Sequence, residues 1–319
     1  MRLRPIAALS AAAVAVLLLA GCASGQGTAQ PTGTAAADLC AAQAKPGEAS
    51  DSVKVDGEVG KPSKATFEKP LEPKALQVSV LDEGTGDAVK PGDFVSYAMT
   101  AYNAKTGEEL ATVGYKPGEF LPSQLSAATV LGQVFGCGKI GERVVAAFPA
   151  SDTAQSEVYV LDLLGTVPTA AWGEPQAEPA GLPKVKLADN GAPTITIPEG
   201  QDPPTATEVA TLKKGDGYKV QQGDYTLIQY TGVRWSDGKT FDSTWEKNTP
   251  ATLTTTQVVK GFQKALEGQT VGSQVLVVIP PAEGYGEGKI NEADLKGETL
   301  VFVVDILGAQ SATAGAATE

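Results

Sequence analysis

The chain has 319 residues, with 25 Lys and Arg against 37 Asp and Glu, a formal net charge of −12 and no histidine. The negative balance repels nucleic acid and excludes a surface that tracks phosphates. The missing imidazole removes the commonest general base and metal ligand, and with them every Ser-His or Cys-His nucleophile system.

In chain order, residues 1–21 read as a lipoprotein signal peptide. Arg2 and Arg4 precede an apolar run from Ile6 to Ala20, which closes on Leu19-Ala20-Gly21-Cys22. The run is shorter than the ~20 residues that span a bilayer, and a basic head, short apolar middle and small-residue cleavage site mark a secretory signal. Cys22 directly after Leu-Ala-Gly resembles the lipidated cysteine of bacterial lipoproteins. Lipid there tethers the mature chain to the membrane, outside the cytoplasm, without a spanning helix. Residues 22–38 read as a flexible tether. Removing Cys22 leaves Cys40 and Cys137, and two thiols in an oxidising compartment most simply form one disulfide. Neither lies in a C-x-x-C pair, so redox chemistry and zinc are not expected.

Residues 39–165 and 184–308 flank a Pro-rich stretch, 166–183, that reads as a linker, and 309–319 read as a disordered tail. The two flanking halves repeat each other. Pro91-Gly92-Asp93-Phe94 matches Gln222-Gly223-Asp224-Tyr225, and Gly141-Glu142-Arg143-Val144 matches Gly272-Ser273-Gln274-Val275, both offset by 131. At Val160-Leu161-Asp162 and Val303-Val304-Asp305 the offset is 143, so the second copy carries 12 extra residues after Pro280, around Ala282-Glu283-Gly284-Tyr285-Gly286. In that copy strands are expected at 206–213, 225–231, 275–279 and 299–307, with a hairpin turn at Asp237-Gly238. From Gln257 to Leu266 the spacing of Val258, Val259, Phe262 and Leu266 fits a helix, with N-caps among Thr254–Thr256 and Gly268 as its stop. The expectation is an α+β fold, a sheet burying one face against one short helix in each half.

Nine of the 19 aromatic residues fall between Tyr218 and Phe302, which points to a concave aromatic pocket. The ordered pieces Tyr230-Thr231-Gly232, Asp237-Gly238-x-x-Phe241-Asp242-Ser243, Val258-Val259-x-Gly261-Phe262, Pro280-Pro281, Gly284-Tyr285-Gly286 and Thr299-Leu300-Val301-Phe302 span about 90 residues. This copy resembles an FKBP-type peptidyl-prolyl cis-trans isomerase domain. The resemblance implies two FKBP-like domains, each a curved antiparallel sheet wrapped on one short helix, with no cofactor or metal. It implies Phe262 as the pocket floor, Tyr230, Phe241 and Phe302 as walls, and Val258 and Val259 on one side, the Val259 N–H donating to a substrate carbonyl. Tyr285 donates its hydroxyl to another carbonyl, and Asp242, hydrogen-bonded to Tyr230, faces the twisting amide. Leu295 fills an apolar role in the loop and joins Phe241, Val258, Val259, Phe262 and Phe302 as the implied substrate-binding residues. The catalytic assignment is thus Tyr230, Asp242 and Tyr285.

Departures from the family pattern bear on substrate preference and rate. Phe262 stands where Trp is commoner, Ala251 where Phe is common, and Lys247 is the only match for a basic partner of Asp242. The first copy has Met99 for Tyr230, Leu110 for Phe241 and Ala111 for Asp242, and lacks the Tyr285 loop, so it reads as the same fold without the pocket. The implied partners are proline-containing exported client proteins and macrolide-type inhibitors. Two readings follow: a membrane-tethered isomerase that assists folding of exported proteins, or a non-catalytic chaperone that uses the same pocket for binding.

Overall fold

The computed structural model describes residues 38–286 and 295–314. The signal segment, Cys22 and almost all of the expected tether lie outside them. The first half opens with two single-turn helices, α1 (Leu39–Ala42) and α2 (Glu48–Asp51), then a small hairpin, β1 (Lys54–Asp56) and β2 (Lys64–Thr66). The main sheet follows from β3 (Gln77–Glu83), β4 (Phe94–Asn103), β5 (Glu109–Val113), β6 (Ser123–Gln124), β7 (Glu142–Phe148) and β8 (Glu157–Val167), with α3 (Val130–Phe135) between β6 and β7. Its order is β3-β7-β8-β4-β5, with β6 also on β4.

The second half has β9 (Glu174–Pro175), a hairpin of β10 (Lys184–Leu187) and β11 (Pro193–Thr196), then β12 (Glu208–Lys214), β13 (Tyr225–Arg234), β14 (Thr240–Ser243) and β15 (Ala251–Thr254). α4 (Lys260–Leu266), β16 (Gln274–Ile279) and β17 (Leu300–Gln310) complete it. The order, β14-β13-β17-β16-β12-β9 with β15 on β13, repeats that of the first half and adds β9. Registers repeat as well: Met99 faces Leu161 where Tyr230 faces Val304, and the bridge Ala88–Lys139 recurs as Lys219–Thr270. The first pair carries the 131 and 143 offsets of the sequence, the bridge 131 at both ends.

Each sheet is buried on both faces, not one. All six residues of β16 are buried. Val275, Val277 and Ile279 pack with Phe262, Leu266 and Phe302 on the helix side, whereas Leu276 and Val278 pack with Ile195, Val233 and Trp235 under the β10–β11 hairpin. The first half repeats this, with Val144 and Ala146 on the α3 side and Val145 under the β1–β2 hairpin. Continuous apolar runs such as Val275–Ile279 are what two-sided burial requires, since alternation marks a half-exposed strand.

The expected linker is part of the fold. Glu174 and Pro175 pair with β12, the Ala171 N–H donates to Asp305 Oδ2 at 2.8 Å, and Trp172 lies so close to Gly272 that a Cβ there would come within 2.9 Å of the indole. The chain beyond Gly308 is ordered through Ala314: β17 reaches Gln310 and the Ser311 N–H donates to the Gly118 carbonyl at 2.8 Å. Asp38, placed in the tether by the sequence, instead caps α1 by accepting from Cys40 and Ala41 N–H groups at 2.9 and 3.3 Å. Cys40 and Cys137 are bonded, with Cα atoms 4.6 Å apart, joining α1 to the turn after α3. The two halves touch through Phe94, Leu227 and Leu307.

The expected helix from Gln257 begins later. Val258 and Val259 are extended, splitting a 3-10 turn (Thr255–Gln257) from α4. Stiff β-branched side chains favour that conformation. No threonine side chain caps either segment; the Thr255 hydroxyl accepts from the Gly223 N–H at 2.8 Å instead.

Candidate active site

Four aromatic rings meet on the helix side of the second sheet. Phe302 of β17 sits at their centre, edge-to-face with Phe262 of α4 at 5.0 Å, Phe241 of β14 at 5.4 Å and Tyr230 of β13 at 6.1 Å between centroids. Tyr230 and Phe262 meet the same way at 5.9 Å. The perpendicular arrangement sets positive ring edges on negative faces and fixes the rings against one another. Two glycines allow it. A Cβ on Gly232 would lie 2.6 Å from the Phe302 ring and 2.8 Å from that of Phe241, and one on Gly261 would lie 2.3 Å from Ile279. The first lets two rings cross the strand; the second lets α4 seat Phe262 against the sheet.

Polar groups stand at the rim. The Tyr230 hydroxyl donates to Asp242 Oδ2 at 2.5 Å, and Lys247 Nζ donates to Asp242 Oδ1 at 2.6 Å. Burial pushes the Asp242 carboxyl up, but the hydrogen bonds from Lys247 and Tyr230 outweigh it and hold the group below the usual carboxylate range. Burial, then the hydrogen bond to Asp242, raises the Tyr230 hydroxyl. Burial and the Asp242 charge also raise that of Tyr285. At neutral pH the site therefore presents one carboxylate between two protonated phenols. The hydroxyl of Tyr285 has no protein partner among the described residues, and neither has the Val259 N–H at the start of α4.

The remaining expected residues divide. Val258, Val259 and Tyr285 are partly buried against the same cluster, as is Ala251. Phe262 and Phe302 are each 5 % exposed, consistent with a floor. Leu295 is 2 % exposed within the core, so it anchors the end of the loop and presents no surface to a ligand. Residues 287–294 lie outside the described residues. Trp235 and Trp245, part of the aromatic run in sequence, are not in the cluster. Trp235 packs under the β10–β11 hairpin, because five residues along a strand from Tyr230 point to the opposite face. Lys247, only loosely matched by sequence, completes the rim.

At the corresponding place in the first half, Ala101 faces Ala111 and Tyr159 as Gly232 faces Asp242 and Phe302. Met99 replaces Tyr230, and Phe148 takes the place of Ile279. Phe148 and Tyr159 lie edge-to-face at 5.2 Å, and the Tyr159 hydroxyl donates to Glu157. Two large rings thus fill space where the second half has one ring and an isoleucine.

The family model for FKBP-type peptidyl-prolyl cis-trans isomerase matches residues 217–307, the segment that builds this cluster. An FK506-binding protein of Streptomyces anulatus is 34 % identical over 122 residues, covering 36 % of this chain and 94 % of the relative. The chain belongs to the FKBP-type isomerase family. A probable FK506-binding protein of Corynebacterium glutamicum is 30 % identical over 118 residues, 37 % of this chain and 98 % of its own length. Among solved structures, FkpA from Escherichia coli aligns at 24 % identity and a TM-score of 0.32, over 40 % of this chain and 52 % of that one.

Proposed function

We propose that residues 184–308 form a peptidyl-prolyl cis-trans isomerase domain, the sole catalytic centre of the chain, and that residues 39–165 are a degenerate copy of it. The observation that carries this is the rim above the aromatic floor: Asp242 held ionised by Tyr230 and Lys247, with the Tyr285 hydroxyl and Val259 N–H without a partner among the described residues.

Twisting a peptide bond breaks amide resonance and costs ~18–20 kcal/mol, so Xaa-Pro bonds isomerise in tens to hundreds of seconds unaided. No bond forms and no proton need move, so a chain without histidine loses nothing by it. A thousandfold acceleration requires about 4 kcal/mol. The planar amide is more polar than the twisted one, so exchanging water for the faces of Phe241, Phe262 and Phe302 raises the ground state more than the transition state. Tyr285 and Val259 then supply fixed donors to the carbonyls on either side of the turn, and Asp242 faces the carbonyl as it rotates out of conjugation.

The exported clients and the lipid anchor at Cys22 belong to the same reading, supported by the signal sequence and the disulfide-compatible cysteines. Mass spectrometry of the mature protein tests the anchor; an unmodified N-terminus refutes it. A protease-coupled cis/trans assay on the mature chain carrying Cys22→Ser tests the enzyme. Binding of a proline peptide without acceleration above background would favour the second reading, a non-catalytic chaperone. Ala251, which leaves one wall without a ring, is the feature that speaks for it.

A further inference from the structure

Away from the aromatic cluster, a half-enclosed cleft of about 190 Å³ opens between the two halves. Phe94 and Gln124 line it from the first half, and Asn190, Gln229, Trp245 and Asn248 from the second. Gln229 is only 4 % exposed, yet its Oε1 has no hydrogen-bond partner among the described residues. A buried amide oxygen left unpaired costs on the order of 1–3 kcal/mol, so such groups are normally met by a partner. Gln229 lies on β13 beside Tyr230 and points to the other face, so it plays no part in the rim already described. Asn248 holds a positive φ of 52°, a conformation few side chains adopt, in the turn that carries Trp245 and Pro250 to the cleft wall.

The chemistry of the lining restricts the occupant. It contains no ionisable side chain, so a charged ligand would lose its hydration without gaining a counter-charge. Amides both donate and accept, and Phe94, Trp245 and Pro250 add apolar surface. The ligand must therefore be neutral, offer a donor to Gln229, and carry an apolar face beside its polar edge. The volume lies below the ~300 Å³ at which drug-sized sites begin and corresponds to roughly six waters. A compact ring fits such a space; an extended peptide, advancing ~3.3 Å per residue, needs a groove open at both ends.

We propose that this cleft binds a neutral monosaccharide-sized polyol, its C–H face on Trp245 and its hydroxyls on Gln229, Asn190 and Asn248. The inference is independent of the isomerase reading. The test is an NMR titration of the mature chain carrying Cys22→Ser, following the Trp245 indole and the side-chain amides, with glucose, N-acetylglucosamine and acetylglycine methylamide as probes. A saturable shift is expected for at least one sugar below about 50 mM, weakened about tenfold or more by Gln229→Leu. Asn248→Gly, which keeps the positive φ without strain, is expected to weaken it as well and serves where Gln229→Leu fails to fold. No saturable shift with either sugar overturns the proposal and leaves water as the partner of Gln229. Binding of the peptide amide alone overturns it too, as does sugar binding that both variants retain in full.

Discussion

Replacing Tyr285 by Phe separates catalysis from folding more cleanly than any other change in the site. The ring packs against the core and Phe keeps it, while the hydroxyl has no protein partner among the described residues. Its loss should therefore cost less than about 0.5 kcal/mol of stability, the range of substitutions that remove no interaction. If the hydroxyl donates to a substrate carbonyl, the net worth of that bond is about 0.5–1.5 kcal/mol. At 1.36 kcal/mol per decade this is about a 2- to 12-fold fall in kcat/KM. The partly dry, aromatic setting argues for the upper part of that range, because the bond competes less with water. A protease-coupled assay on a proline tetrapeptide measures the rate, and thermal unfolding the stability. Unchanged kcat/KM would refute the role of Tyr285. A fall in activity matched by a large drop in Tm would refute the premise that its hydroxyl is structurally idle.

Three further outcomes follow from the electrostatics and covalent structure. Lys247→Met removes one of the three hydrogen bonds that depress the Asp242 carboxyl, so its pKa should rise and the acid limb of the pH–rate profile should move to higher pH. The stability lost should stay below about 1 kcal/mol because Lys247 is 64 % exposed, and the pair contributes only above the lowered pKa of Asp242. Glu142 is 4 % exposed with one oxygen unpaired among the described residues, and burial, aided by the charge of Glu83, raises its carboxyl to about 7 against the lowering bond from the Lys139 backbone. The folded state then holds more protons than the unfolded one between the ordinary glutamate range and pH 7, so stability declines as pH rises through that window. Glu142→Gln should flatten the decline and stabilise the protein by about 1–3 kcal/mol at pH 8 in urea titrations. The disulfide spans 97 residues, and Cys40→Ser with Cys137→Ser should lower the stability of the first half by about 2–5 kcal/mol on loop-closure grounds while peptide isomerisation at 25 °C persists.

Strand positions and the duplication were legible because both rest on local pattern: β-branched runs, Gly turns and a constant offset. The ring cluster was legible for the same reason, since Tyr230, Phe241, Phe262 and Phe302 lie in spaced motifs whose glycines, Gly232 and Gly261, are demanded by close packing. What escaped depends on contacts distant in sequence. The β10–β11 hairpin is four residues a side, and nothing local says that it covers Leu276 and Val278. The connector reads as a linker from its prolines, but its order comes from Asp305, Lys213 and Gly272, up to 134 residues away. The aromatic count between Tyr218 and Phe302 includes Trp235, yet its odd spacing from Tyr230 puts it on the opposite face. The resemblance implied a contact role for Leu295, but a family pattern matched one place along does not distinguish a loop's anchor from its tip.

The first half turns these distinctions into a test of what makes the pocket. If rim chemistry alone separated the copies, Met99→Tyr with Ala111→Asp would restore a Tyr–Asp pair, since Ala101 faces Ala111 and Met99 neighbours the same edge as Tyr230 does in its own sheet. The packing argues otherwise. Phe148 and Tyr159 close on each other at 5.2 Å where Ile279 and Phe302 leave a floor, and no loop supplies a counterpart of Tyr285. The double substitution should therefore leave the first half inactive, measured in a chain whose second site is disabled by Asp242→Leu and Tyr285→Phe. Adding Phe148→Ile should open space but still lack a donor, giving proline-peptide binding with little acceleration. Substantial turnover from the first pair alone would mean that the carboxylate and phenol suffice, and that the aromatic floor and the Tyr285 loop contribute less than their geometry implies.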